Sequence, residues 1–354
     1  MAGHRRGVKG MKMWAFLRVG MERGASDVHV TVGAPPMMRV DGELLPMPGR
    51  DVLRAEDTLE LVQELLDAKM QAVLRERGEC DFSYELPEGQ RFRVQAFRRL
   101  GDLALAVRVI PRRVPTAEEL GLSPVILSFG ERRQGLFLVT GPTGSGKSTT
   151  LACLLEEINR TSRRRILTLE DPVEYLHVHR QSLIDQREVG RDTRSFADGL
   201  RAALRQDPDV ILVGEMRDLE TIATAVTAAE TGHLVLATLH TSDAPQTIDR
   251  ILDVFPAEGQ RQIRAQLASV LLGVVSQRLL PKRAGGGRVA VQEILVNTPG
   301  VANLIRTEKS HQLRTAMQTG KAHGMQTFDM HLQELVSKGV IDPDTAKKHL
   351  MAMP

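Results

Sequence analysis

Leu136-Phe137-Leu138-Val139-Thr140-Gly141-Pro142-Thr143-Gly144-Ser145-Gly146-Lys147-Ser148 is the stretch that decides the fold of this 354-residue chain. Leu136–Thr140 reads as a strand buried on both faces, and the next eight residues satisfy G-x-x-x-x-G-K-[ST]. Leu151, Leu154, Leu155 and Ile158 then recur at i, i+3, i+4 and i+7, the stripe of a helix. A strand running through such a loop into a helix is a phosphate cradle. Glycines let backbone N–H groups converge on phosphate oxygens without Cβ clashes, and the helix N-terminus adds a favourable dipole. Lys147 would neutralise β/γ-phosphate charge and Ser148 would ligate Mg²⁺. The nucleotide-binding candidates are Gly141, Pro142, Thr143, Gly144, Ser145, Gly146, Lys147, Ser148 and Thr149. No Asn-Lys-x-Asp guanine-reading motif occurs, which favours ATP.

Three downstream segments repeat an apolar strand followed by polar residues. Ile166–Leu169 leads into Glu170-Asp171-Pro172-Val173-Glu174, Val210–Val213 into Gly214-Glu215-Met216-Arg217-Asp218, and Leu234–Thr238 into Leu239-His240-Thr241. Alternating strands and amphipathic helices predict a parallel sheet covered on both faces. Ligands bind beyond the carboxyl ends of such strands, so the three groups should gather near the phosphate loop. There a carboxylate can orient and deprotonate the attacking water, another can hold Mg²⁺ or its water shell, and histidine can donate to the γ-phosphate. Glu174, Glu215, His233 and His240 are the candidates. Asp171, just before Pro172, fits a helix N-cap, and His177 and His179 read as surface residues.

Upstream, the first third reads as a small α+β module. Its strand-like segments are Asp27–Val32, Met38–Val40, Phe82–Tyr84, Arg91–Phe97 and Leu103–Ile110, with a hairpin turn at Asp41-Gly42-Glu43. One helix is expected between them, burying Leu59, Val62, Leu65 and Leu66. Pro111-Arg112-Arg113-Val114-Pro115 breaks the module, since two prolines in five residues suit neither a helix nor a central strand. The expected organisation is a basic extension at 1–12, a first domain at 13–110, a linker at 111–125, a core at 126–298 and a helical region at 299–354. Ala284-Gly285-Gly286-Gly287-Arg288 reads as a mobile loop.

Composition narrows the function classes. Hydrophobic residues at 42% and charged residues at 26% exclude wholesale disorder. No apolar run approaches the roughly 18 residues of a membrane helix, and the basic first twelve residues lack a signal peptide's apolar region. A cytoplasmic protein is expected. Cys80 and Cys153 cannot build a disulfide framework or a four-thiolate zinc site. A net charge of +3 and 3% aromatics provide little for nucleic acid to bind, so no nucleic-acid partner is expected.

Gly141–Thr149, Glu170–Glu174, Leu204–Asp218 and Thr231–Thr241 together resemble the Walker A, Asp, Walker B and His boxes of the type II/type IV secretion ATPase superfamily. Ala25–His29, Arg39–Gly42 and Met325–Asp329 extend the resemblance, which is greatest to the ATPases that retract type IV pili. It implies an α/β fold: a RecA-like P-loop ATPase core behind a smaller N-terminal α+β, PAS-like domain. It implies a homohexamer using ATP and Mg²⁺ at the inner face of the cytoplasmic membrane, peripheral to it, against an inner-membrane pilus platform protein. In that pattern Glu174 is the catalytic base, and Glu215 acts with Ser148 on Mg²⁺ or its waters. His233 and His240 are the His-box histidines, and Arg93 and Arg108 approach the γ-phosphate. The family's C-terminal Ala-Ile-Arg-Asn-Leu-Ile-Arg-Glu motif is here Gly300-Val301-Ala302-Asn303-Leu304-Ile305-Arg306-Thr307, without the first arginine and the final glutamate. Leu304 and Ile305 should pack a helix onto the core, leaving Asn303 and Arg306 exposed on one face. A pilus assembly or secretion ATPase, or an accessory paralogue of the retraction motor, is the nearest alternative. A nucleic-acid translocase and an ATP-binding regulator without turnover are the further ones.

Overall fold

The computed structural model describes residues 12–40, 42–285 and 287–351, so most of the basic extension, Asp41 of the expected hairpin turn and Gly286 lie outside the described residues. The chain divides into two compact units, at 1–112 and 113–354.

The first unit contains α1 (Met13–Glu22), β1 (Asp27–Val30), β2 (Met37–Val40), β3 (Glu43–Pro46), α2 (Ala55–Leu65), α3 (Ala68–Arg77), β4 (Glu79–Glu85), β5 (Arg91–Arg99) and β6 (Asp102–Val109). The strands form one antiparallel sheet in the order β3-β2-β1-β6-β5-β4. Alternation gives the sheet one apolar face: Val28, Val30, Phe82, Phe92, Val94, Ala96, Leu105 and Val107 are buried with Phe16, Leu17, Leu61 and Val62 of the helices. Among the described residues three helices stand where one was expected. Leu59 does not join the core; it is 45% exposed, because the buried stripe of α2 runs through Thr58, Leu61, Val62 and Leu65. Gly20 lets α1 approach the sheet, since a Cβ there would stand 2.8 Å from Val28 Cγ2.

The second unit adds α4 (Ala117–Leu120), α5 (Pro124–Gly130), β7 (Gly135–Thr140), α6 (Lys147–Thr161), β8 (Arg165–Glu170), β9 (Leu183–Glu188), α7 (Phe196–Ala203), β10 (Val210–Val213), α8 (Leu219–Glu230), β11 (Leu234–Leu239), α9 (Ala244–Asp253), α10 (Ala257–Val270), β12 (Leu271–Pro281), β13 (Arg288–Val296), α11 (Pro299–Arg306), α12 (Leu313–Thr319), α13 (Phe328–Ser337) and α14 (Pro343–Met351). Its sheet order is β13-β12-β7-β11-β10-β8-β9, parallel throughout except for the edge strand β13. Every residue of β7, β10 and β11 is buried. Leu136 and Leu138 face the core shared with α8, α9, α10 and α11, while Phe137 and Val139 face the core shared with α5 and α6. Two-sided burial is why these strands read as continuous apolar runs. Ala284, Gly285 and Gly287 fall in the connection from β12 to β13, and Arg288 opens β13. No described helix is long and apolar enough to cross a membrane.

Helix α11 starts earlier than the expected motif, at Pro299, with Thr298 as N-cap accepting from the Val301 N–H. Ile305 is buried and Leu304 half-buried, with Asn303 and Arg306 exposed as expected.

One buried acid in this unit has a direct thermodynamic consequence. Glu293 on β13 is 5% exposed and accepts from the Ala244 N–H at 2.9 Å. Burial pushes its carboxyl up from 4.5 to about 7, with the charges of Asp243 and Asp329 acting in the same direction and Arg314 against them. Between those values the folded chain keeps a proton that the unfolded chain releases, so this group's contribution to stability falls as pH rises through the window. Glu293→Gln mimics the protonated form. It is expected to add on the order of 3 kcal/mol of stability at pH 8 and almost none at pH 4.5. Urea unfolding at the two pH values checks this; equal gains at both would assign the effect to packing.

Candidate nucleotide site

The carboxyl ends of β7, β8, β10 and β11 lie on one side of the parallel sheet and carry the phosphate loop, Glu170, Gly214-Glu215 and His240 respectively. Gly141, Gly144 and Gly146 all have positive φ, which glycine adopts without Cβ strain. The approach at Gly141 is closest: a Cβ there would stand 2.3 Å from the Gln277 carbonyl oxygen and 2.6 Å from Ser145 Oγ. Gly146 caps α6 with no side chain to satisfy the helix's first N–H groups, which leaves them for an anion. Pro142, Thr143 and Gly144 form an exposed crest above a buried base.

Lys147 is only 8% exposed, and its Nζ donates to the carbonyls of Gly141 at 2.9 Å and Pro142 at 3.1 Å. Burial lowers its pKa, and the charges of Glu215 and Glu174 oppose that shift. A desolvated cation held on loop carbonyls, beside a buried Ser145 hydroxyl that has no hydrogen-bond partner, suits a loop built to receive phosphate oxygens. Ser148 follows at the start of α6, half-buried, and the Thr149 hydroxyl meets Tyr175 Oη at 3.0 Å.

Glu215 receives His240 Nε2 at 3.1 Å and a second, very short contact from Arg217 Nε. Burial works to raise the Glu215 carboxyl, but the Arg217 and His240 hydrogen bonds and charges outweigh it and hold the group below the usual carboxylate range. It is therefore an anion at neutral pH, as a ligand for a cation or its water shell must be.

Glu174 sits exposed in an irregular loop, 171–182, that leads to β9. Asp171 caps no helix, because none follows it before β9. The loop is fixed from below. The Glu174 N–H donates to Glu170 Oε2 at 3.4 Å, Gln186 Nε2 donates to the Tyr175 carbonyl at 2.8 Å, and Asn159 Nδ2 to the Val178 carbonyl at 2.8 Å. His177 differs from the expected surface residue: its side chain is 2% exposed and meets Glu156 of α6 at 3.0 Å. Burial lowers the His177 ring's pKa, against the pull of Glu156. Glu170 accepts from Thr168 and Gln186, and burial pushes its carboxyl up, away from the charged form a base needs. His179, by contrast, is exposed.

The two histidines are not brought together. His240 follows β11, whereas His233 precedes it, at the opposite end of a six-residue strand and so roughly 20 Å away. There His233 closes α8: its N–H reaches the Ala228 carbonyl at 3.1 Å, and Nδ1 lies 2.9 Å from the same oxygen. Within this chain His233 belongs to the support of the sheet and not to the phosphate end.

In the first unit Arg93 and Arg108 stand opposite each other on β5 and β6. Both strands are interior to the sheet. Arg93 forks onto Asp81 at 2.7–3.3 Å, and Arg108 meets Asp27 at 2.9 Å.

Two contacts around the loop escaped sequence reading. Gln277 of β12 and Tyr175 both touch the phosphate-binding segment from far along the chain. The only trace of Gln277 in the sequence is a polar Ser276-Gln277-Arg278 run between apolar residues of β12.

Strand-end carboxylates and a histidine around a glycine loop and its lysine define a P-loop nucleotide hydrolase with an α/β core. The chain belongs to the Type II/IV secretion system protein family, whose description matches residues 16–344. It is 48% identical over 340 residues to the type IV pilus retractation ATPase PilT of Pseudomonas aeruginosa, covering 96% of this chain and 98% of that one. It is 48% identical to a twitching motility protein of Neisseria gonorrhoeae, over 88% of this chain and 83% of that protein. Among solved structures, the pilus retraction motor PilT with bound ADP superposes with a TM-score of 0.89 at 45% identity, covering 96% of each chain. The expected family and fold, an ATP hydrolase with a RecA-like core, are borne out.

Proposed function

We propose that this chain is the motor ATPase that powers type IV pilus retraction. The observation that carries this reading is near-identical extent: likeness to a pilus retraction ATPase runs through both units, including α11, and not only through the shared phosphate loop. In this reading residues 13–110 and 126–298 are the working domains, joined by 111–125, with 299–354 as a helical appendage and 1–12 as a basic extension.

Gly141–Thr149 bind the triphosphate, with Lys147 released from its two carbonyls to meet β- and γ-phosphate charge. Ser148 and Glu215 would hold Mg²⁺, directly or through water; the ion supplies charge neutralisation. His240, already oriented by Glu215, donates toward the γ-phosphate. Glu174 accepts the proton of the attacking water. Arg93 and Arg108 are the arginines that, as the resemblance implies, would stabilise charge on the transferred phosphoryl group. The assembly is a homohexamer on the cytoplasmic side of the inner membrane, engaging a platform protein of the pilus, with no nucleic acid involved.

In this reading Asn303 and Arg306, exposed together on α11, pass ring motion outward. A strain lacking the gene should be hyperpiliated and unable to twitch. Complementing it with the Asn303→Ala, Arg306→Ala double variant should leave twitching absent, while the purified variant hydrolyses ATP within a few fold of wild type. Bald cells on deletion would instead indicate an assembly motor. Restored twitching would reduce α11 to scaffolding.

A further inference from the structure

Gln277 is 1% exposed and lies on β12, 132 residues from the loop it touches. Its Nε2 donates to the Ser145 carbonyl at 2.7 Å, and its Oε1 accepts from Thr150 Oγ1 in the first turn of α6 at 3.0 Å. Its own carbonyl oxygen is the atom that a Cβ at Gly141 would strike, and its amide nitrogen would lie 3.1 Å from a Cβ at Gly146. One residue therefore borders the first and last glycines of the loop and ties the loop to its helix.

Neither contact is required by the strand. The β12 backbone is already paired with β7 and β13. An apolar side chain of equal length would fill the same buried space without needing partners. Of the side chain's hydrogen-bonding groups, one donor and one acceptor are committed to the phosphate-binding segment. The Ser145 carbonyl is the group that must turn away if the neighbouring N–H groups are to point inward at an anion. Holding it outward presets the nest before any nucleotide arrives, which removes ordering cost from binding.

We infer that Gln277 is a positioning residue for the nucleotide: it locks the phosphate loop in its anion-receiving form without touching the ligand. The inference rests on the loop being the ATP site. It predicts a loss in affinity rather than in chemistry, because Lys147, Ser148, Glu215 and Glu174 all remain in place.

The test uses the full chain with Gln277→Met, which keeps volume and removes both hydrogen bonds, and Thr150→Val, which removes one. Gln277→Met should raise KM for ATP and Kd for ADP by the same factor, tenfold or more. Its kcat should stay within about threefold and its oligomeric state should be unchanged, while its melting temperature falls modestly because the buried Ser145 carbonyl and Thr150 hydroxyl lose their partner. Thr150→Val should raise both by a smaller factor, and the double variant should be no worse than Gln277→Met alone, because the Thr150 bond is already absent there. Unchanged KM and Kd in Gln277→Met would overturn the inference, as would a fall in kcat at constant KM. Should Gln277→Met fail to fold, Thr150→Val decides on its own, and normal nucleotide affinity there overturns the proposal. Lys147→Ala run alongside separates the two readings: if it still binds ADP normally, the loop is not the nucleotide site and the failure lies there.

Discussion

Lys147→Ala is expected to abolish hydrolysis and to weaken ATP and ADP binding by about a hundredfold or more. Removing one member of a desolvated charge pair costs about 3–5 kcal/mol, and each 1.4 kcal/mol is a factor of ten. The lysine is buried, burial already lowers its pKa, and only loop carbonyls and the more distant Glu215 and Glu174 compensate it before phosphate arrives. Alanine removes that desolvated cation from the nucleotide-free protein, so the fold should survive while the ligand's negative charge loses its counterpart. Nucleotide titration, phosphate release and a melting curve on one preparation test all three statements. Normal turnover in a folded variant would overturn the assignment of the loop.

Glu174→Gln should separate binding from chemistry. The substitution is isosteric, and the backbone contact that seats the loop, from the Glu174 N–H to Glu170, does not involve the side chain. Nucleotide affinity is expected to stay within a few fold of wild type while kcat falls by about 10²–10⁴, the contribution of a positioned base. Glu170 cannot substitute, since burial raises its pKa and its oxygens are already accepting from Thr168, Gln186 and the Glu174 N–H. Affinity and turnover lost together would assign Glu174 a structural role. An undiminished kcat would move the base elsewhere.

The sequence by itself determined the phosphate loop and the α/β core. The loop is eight consecutive residues whose glycines, lysine and serine act through their own backbone and their immediate neighbours, so no distant contact is needed to recognise it. The strands around it were legible because two-sided burial demands unbroken apolar runs, and the parallel topology then sends Glu170, Glu215 and His240 to one edge. What failed locally failed for identifiable reasons. Helix α3 buries only Leu74 and carries no stripe, and α1 completes its stripe with Gly20, which is not read as apolar. Strand β9 is a mostly polar edge whose Ile184 and Glu188 alone are buried.

Only the tertiary structure decided which side chains share a site. His233 and His240 are seven residues apart and look like one motif, yet a strand rises about 3.3 Å per residue and carries them to opposite ends of the sheet. Gln277 and Tyr175 are far from the loop in sequence and touch it, because β12 lies beside β7 and the 171–182 loop lies against α6. His177 reads as a surface residue in the sequence, but Glu156 and Asn159 of α6 hold its loop and bury its ring. Periodicity and spacing report the backbone within one element. Contacts between elements depend on strand order and loop paths, which the hydrophobic pattern leaves open, and those contacts set where each charge and each buried polar group ends up.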